Sequence, residues 1–166
     1  RLIMPLDFDI ELARRFVARA AGERDVVLVG LTGAHAYGFP SVDSDFDLKG
    51  VMLLPAASLL GLDAPAETFD RMEIFEGVEQ DLTLHDAKKA FDLLLRGNGN
   101  ALEHALTPVQ LIESDRAHEL RELARGSVSR RSAHHYRGFF HRKRAVHAQD
   151  RCAKSLLYAY RVALTG

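Results

Sequence analysis

Between residues 26 and 85 apolar positions fall in short runs or alternate with polar ones, and from Asp86 onward they recur at the spacing of a helix. Ahead of both, Leu12, Phe16 and Val17 mark one face of a helix with Arg14, Arg15 and Arg19 outside, and Asp7 or Asp9 is placed to cap it. Residues 26–29 are continuously apolar and predict a buried strand. Residues 30–40 are punctuated by Gly30, Gly33 and Gly38 and are too broken for a long helix. Residues 45–52 alternate polar and apolar, as a half-buried strand does. Residues 54–70, with Pro55 and Pro65, read as connection, and 71–75 and 78–85 as two strands joined at Gly77. Ala87, Ala90, Phe91, Leu94 and Leu95 then form the apolar stripe of a helix that ends in residues 96–100. Beyond it the pattern predicts only helices, over about 100–106, 115–125, 130–147 and 151–165.

Strands early and helices late predict an α+β fold: a mixed sheet flanked by helices, with a small helical bundle appended. The expected division is an α/β core over residues 1–100 and a helical region over 101–166. A length of 166 residues with 47% apolar content supports a packed core rather than a disordered chain. The chain does not begin with Met and its last helix stops in mid-pattern at Gly166, so it is expected to be part of something longer; residues 148–150 are where a gap in the given sequence would fall. Its single cysteine, Cys152, excludes an internal disulfide and a multi-cysteine zinc site, and makes a cytoplasmic setting the expectation. No membrane span and no signal peptide are expected. The net charge of -1 names no partner, but residues 121–151 hold nine Lys or Arg and two acids, a surface for phosphates or a plain solvated face.

The chemistry centres on Asp45 and Asp47. Two residues apart on a strand, both carboxylates point to one face, roughly 6.5–7 Å apart at their backbones. Unpaired carboxylates are too costly to bury, so that face is not core. Such a pair suits a divalent ion or two ions, as phosphoryl transfer requires. Asp81 has the same geometry on a later strand: with Leu82 and Leu84 inward, Asp81 and Thr83 point the other way. If the strands are neighbours Asp81 is a third carboxylate, with Glu79 as its competitor. The plain alternative is an acidic edge strand kept soluble. An EF-hand reading of 43–54 fails because Leu48 stands where Gly is needed and Leu54 where Glu is needed. A P-loop and a His-Glu-x-x-His motif are both missing.

The glycine loop at 33–38 follows a buried strand and precedes the Asp pair, where backbone N–H groups can cradle phosphate. The stretch Thr32-Gly-Ala-His-Ala-Tyr-Gly-Phe-Pro-Ser-Val-Asp-Ser-Asp-Phe-Asp-Leu-Lys-Gly50 resembles a family of predicted bacterial nucleotidyltransferases of the DNA polymerase β superfamily, which includes RNA-ligase-associated proteins. Residues 94–103, 135–139 and 154–161 extend the likeness over nearly the whole chain. The resemblance implies a polymerase β-like fold and transfer of a nucleoside monophosphate from an NTP to an acceptor hydroxyl, releasing pyrophosphate. It implies Asp45, Asp47 and Asp81 as catalytic and metal-binding carboxylates for two Mg²⁺ or Mn²⁺ ions, with Gly33 and Ala34 at the phosphates. It implies NTP as substrate, and RNA 3′ ends as the favoured acceptor beside protein or a small molecule. Ala34 departs from the superfamily pattern, where Ser supplies a hydroxyl; His35 or Ser44 are candidates to replace it, and the loss of one such bond weakens triphosphate binding by about 1.5–3 kcal/mol.

Lys154, Tyr158 and Arg161 share one face of the last helix, opposite Leu156, Leu157 and Tyr160. Lys154 is a candidate for the triphosphate and Tyr158 for the base; an exposed polar face is the alternative. Arg137, His141 and Arg144 form a similar row, read as a solvated face or an RNA-backbone contact. His134 and His135 are adjacent and face different ways, so no metal site is assigned there. His85-Asp86 reads as a helix start, and Asn98 and Asn100 as turn and cap residues. A nucleotide- or RNA-binding module without turnover, or an antitoxin-type protein with a helical protein partner, are the alternative functions on the same fold.

Overall fold

The computed structural model describes residues 8–166. Its sheet contains β1 (Asp25–Leu31), β2 (Phe46–Leu53), β3 (Thr68–Phe75), β4 (Val78–Asp86) and β5 (Gln110–Glu113), in the order β3-β4-β2-β1-β5. β2 and β4 run parallel and the other pairs antiparallel, a mixed sheet as expected. The helices are α1 (Ile10–Ala21), α2 (Gly33–Ala36), α3 (Ala56–Leu59), α4 (Ala87–Leu95), α5 (Gly99–Leu106), α6 (Ala117–Gly126), α7 (Arg130–Asp150) and α8 (Ala153–Thr165). Among the described residues no helix is long and apolar enough to cross a membrane.

Asp9 caps α1, accepting from the backbone N–H groups of Glu11 and Leu12; Asp7, the other candidate, lies outside the described residues. The apolar face of α1, with Leu12, Phe16 and Val17, covers one side of the sheet through Leu31, Leu48, Leu82 and Leu84. Val51 and Leu28 meet α4, α5 and α6 on the other side through Leu94, Leu102 and Leu120. Period-two geometry therefore puts Asp47 and Lys49 on the α5 side of β2, and Asp81, Thr83 and His85 on the α5 side of β4.

The β3–β4 hairpin turns through Glu76 and Gly77, both at positive φ (48° and 88°), the backbone of a tight two-residue turn. Asp86 begins α4, accepting from Lys88 N and also from Leu54 N. Asn98 caps α5, as its sequence position predicts. Three expectations change. β3 starts at Thr68, inside the stretch read as connection. β5 lies where only helices are predicted: four residues pair with β1 and extend the sheet. α7 runs to Asp150, three residues past the expected helix end at 147, and the turn falls at Arg151, which takes φ 53°.

Candidate active site

Parallel pairing sets Asp47 directly beside Asp81, Lys49 beside Thr83 and Val51 beside His85. Asp45 immediately precedes β2, two residues from Asp47. Asp47 and Asp81 thus lie side by side at one end of the sheet with Asp45 two residues before Asp47, whereas Glu79 is exposed near the start of β4. Lys49, a residue the sequence reading passed over, stands among them. Its Nζ donates to Asp81 Oδ2 at 2.6 Å and to Thr83 Oγ1 at 3.1 Å, and lies 3.9 Å from Asp47 Oδ1. Burial pushes the Asp47 carboxyl above the ordinary carboxylate range, and the charge of Asp45 adds to it; Lys49 opposes, Asp81 reinforces and Lys154 opposes.

The glycine loop is fastened to the backbone of Asp47. Thr32 donates to the Asp47 carbonyl from both its N–H (2.8 Å) and its hydroxyl (3.1 Å). Gly33 opens α2 at φ 65°, and a Cβ there would come within 1.9 Å of Asp47 Oδ2. Only glycine lets the loop lie flat on the carboxylate. Gly33→Ala is expected to lower stability by about 1–2 kcal/mol through the left-handed backbone and to displace Asp47; a thermal melt and an activity assay on one sample check both.

The other loop candidates are placed less directly. Ala34 is buried, so position 34 offers its backbone more than its side chain. His35 is buried against Phe46, with ring centroids 5.0 Å apart, and its Nε2 lies 3.3 Å from the Ser44 carbonyl. The Ser44 hydroxyl accepts from Ser41 N at 2.9 Å and holds its own loop. Both residues brace the loop in this structure.

The last helix turns its polar stripe inward. Arg161 is 8% exposed at its side chain, whereas Leu157 and Tyr160 are 42% and 61% exposed as residues, the reverse of a simple apolar-in pattern. Glu103 on α5 explains the inversion: it accepts from Tyr37 (2.7 Å), Tyr136 (3.2 Å) and Arg161. Arg161 also covers the Tyr37 ring at 4.2 Å. This cluster docks α7 and α8 onto the glycine loop. Tyr158 then meets Phe39 edge-on at 5.3 Å, with Lys143 over its ring at 5.0 Å. Burial raises the Tyr158 hydroxyl pKa, and the Asp47 charge adds to the rise, so this ring stands within the field of the carboxylates. Lys154 is exposed at the rim, and its charge is felt by Asp47 and Asp43. Arg137, His141 and Arg144 are all exposed.

Asp45 and Asp47, in each other's field, are hard oxygen donors that fit Mg²⁺ or Mn²⁺, ions that take one or two carboxylates and complete their shell with phosphate oxygens. Asp81 is turned to Lys49, and among the described residues no three His, Cys, Asp or Glu converge on one cation position. Half-buried carboxylates on paired parallel strands, a glycine loop against them and helices packed above them go with a nucleotidyltransferase-like fold. The chain belongs to the RNA repair pathway DNA polymerase beta family (RlaP), whose sequence profile matches residues 10–166. Among solved structures it is similar to a nucleotidyltransferase-like protein from Exiguobacterium sibiricum 255-15, at a TM-score of 0.52 and 9% identity over 94% of this chain. That likeness concerns the fold, and this chain spans 54% of that protein's length. No curated protein matches.

Proposed function

We propose that the chain moves a nucleoside monophosphate from an NTP to an acceptor hydroxyl. The observation that carries this reading is Asp47 held between Asp45, Asp81 and the Gly33 backbone, a carboxylate cluster built against the glycine loop. In the reaction the acceptor oxygen bonds to the α-phosphorus, the bond from that phosphorus to the bridging oxygen breaks, and pyrophosphate leaves. Asp81 takes the hydroxyl proton. Asp45 and Asp47, with Asp81 beside Asp47, would hold two Mg²⁺ or Mn²⁺ ions, which when bound supply positive charge to the triphosphate and the attacking oxygen. The N–H groups at Gly33 and Ala34 orient the phosphates, Lys154 meets their charge at the rim, and Tyr158 receives the base. An RNA 3′ end is the favoured acceptor, supported by the family's connection with RNA repair and by the exposed basic residues of α7. The setting is cytoplasmic, in keeping with the free, exposed Cys152.

A second reading, a nucleotide- or RNA-binding module without turnover, is favoured by Lys49 lying where it neutralises carboxylates a metal would use. The two separate in one experiment. The protein is given Mg²⁺ or Mn²⁺ and each of the four NTPs labelled at the α-phosphate, with total RNA or total protein as acceptor. Label that enters RNA and disappears with Asp45→Ala and Asp47→Ala supports the transferase; label in protein moves the acceptor class. No label, with NTP binding intact by calorimetry, establishes the module instead.

A further inference from the structure

Lys49 makes the closest contact in the carboxylate cluster. Its side chain is 15% exposed, and its ammonium bridges Asp81 at 2.6 Å and Asp47 at 3.9 Å. A lysine ammonium is a compact point charge that can stand in for a metal ion between two carboxylates. With it in place, the Asp81 carboxylate already has a cation partner and Asp47 has one close by. A divalent ion set between Asp47 and Asp81 would have to displace this ammonium, and a triphosphate arriving with its own negative charge favours that exchange. Thr83 fixes the ammonium from the neighbouring position on β4, so the placement does not rest on the carboxylates alone.

We propose that Lys49 is a built-in counter-cation that occupies the second metal position in the absence of nucleotide, so that the free protein binds one divalent ion and takes a second only with its NTP. Lys49 acts through Asp47 and Asp81 and is a positioning residue. This inference rests on the reading of Asp45 and Asp47 as metal ligands, and its test separates the two.

Mn²⁺ is titrated into the nucleotide-free protein at neutral pH, followed by the electron paramagnetic resonance of free Mn²⁺ and by calorimetry. The parent is expected to bind one ion. Lys49→Met is expected to bind two, with the first about tenfold tighter because a like charge has left the site. Lys49→Arg keeps the parent stoichiometry, and adding Asp81→Asn to Lys49→Met returns it to one ion. Circular dichroism melts confirm that each variant is folded, and Lys49→Gln supplies the same test if the Met variant is not. Should Lys49→Met bind Mn²⁺ as the parent does while Asp47→Asn loses it, the counter-cation is overturned and the metal site stands. Should Asp45→Asn and Asp47→Asn bind Mn²⁺ as the parent does, the carboxylate site itself falls and the counter-cation with it.

Discussion

Asp47→Asn is expected to reduce nucleotidyl transfer by about a hundredfold to a thousandfold, the scale on which removing one preorganised charged contact acts, while leaving the fold as stable as the parent or more so. The two halves have one cause. Burial, reinforced by the charge of Asp45, holds the Asp47 carboxyl above its ordinary range. A carboxyl raised in this way binds its proton more readily folded than unfolded. Its favourable contribution is therefore complete below the unfolded value and is lost as pH rises through the folded one. At neutral pH the ionised group opposes folding, and Asn keeps the shape without the charge. The melting temperature of the Asn variant should equal or exceed that of the parent at pH 7, and the difference should shrink as the pH is lowered toward 4. Thermal melts at both pH values, beside label incorporation at pH 7, check this. A variant that is inactive and also much less stable would place Asp47 among the structural residues instead.

How far the sequence foretells this site depends on the range of each contact. Asp45 and Asp47 are legible because strand geometry is local: two residues apart means one face. The same rule places Lys49 on that face, yet a lone lysine on a half-buried strand reads as solvated until a partner strand is known. That partner is β4, parallel to β2 and reached only after β3 has gone out and returned along the sheet edge. The pairing of Asp47 with Asp81 follows from that register, which periodicity does not encode. β5 escapes prediction because four residues with a single buried position carry too short a pattern; its strand character comes from pairing with β1. His35 looks from its position like a phosphate ligand, and its burial against Phe46 is decided by side chains outside the loop. The inward polar face of α8 depends on Glu103, from an element some fifty residues earlier.

Glu103 is where the largest loss of stability is expected. Its carboxylate, 11% exposed, receives Arg161, Tyr37 and Tyr136 from three separate elements, and Arg161 is buried more deeply still. Removing one partner of a buried ion pair leaves the other charge without compensation, at a cost of about 3–5 kcal/mol. For a chain of this size that corresponds to a melting temperature lower by about 10 °C. Glu103→Ala should therefore destabilise strongly, and Arg161→Met alone should do so by a similar amount, because the glutamate is then stranded. The double variant should lose clearly less than the sum of the two, since neither charge remains buried and unpaired. Transfer activity should fall in both single variants at temperatures where the sheet is still folded, because α8 carries Lys154 and Tyr158 to the carboxylates and Glu103 is what seats it. Chemical denaturation of the four proteins, with activity measured well below each transition, tests the cycle. Additive losses would mean that the three donors are held by packing, and that the polar stripe of α8 faces inward for some reason other than the carboxylate beneath it.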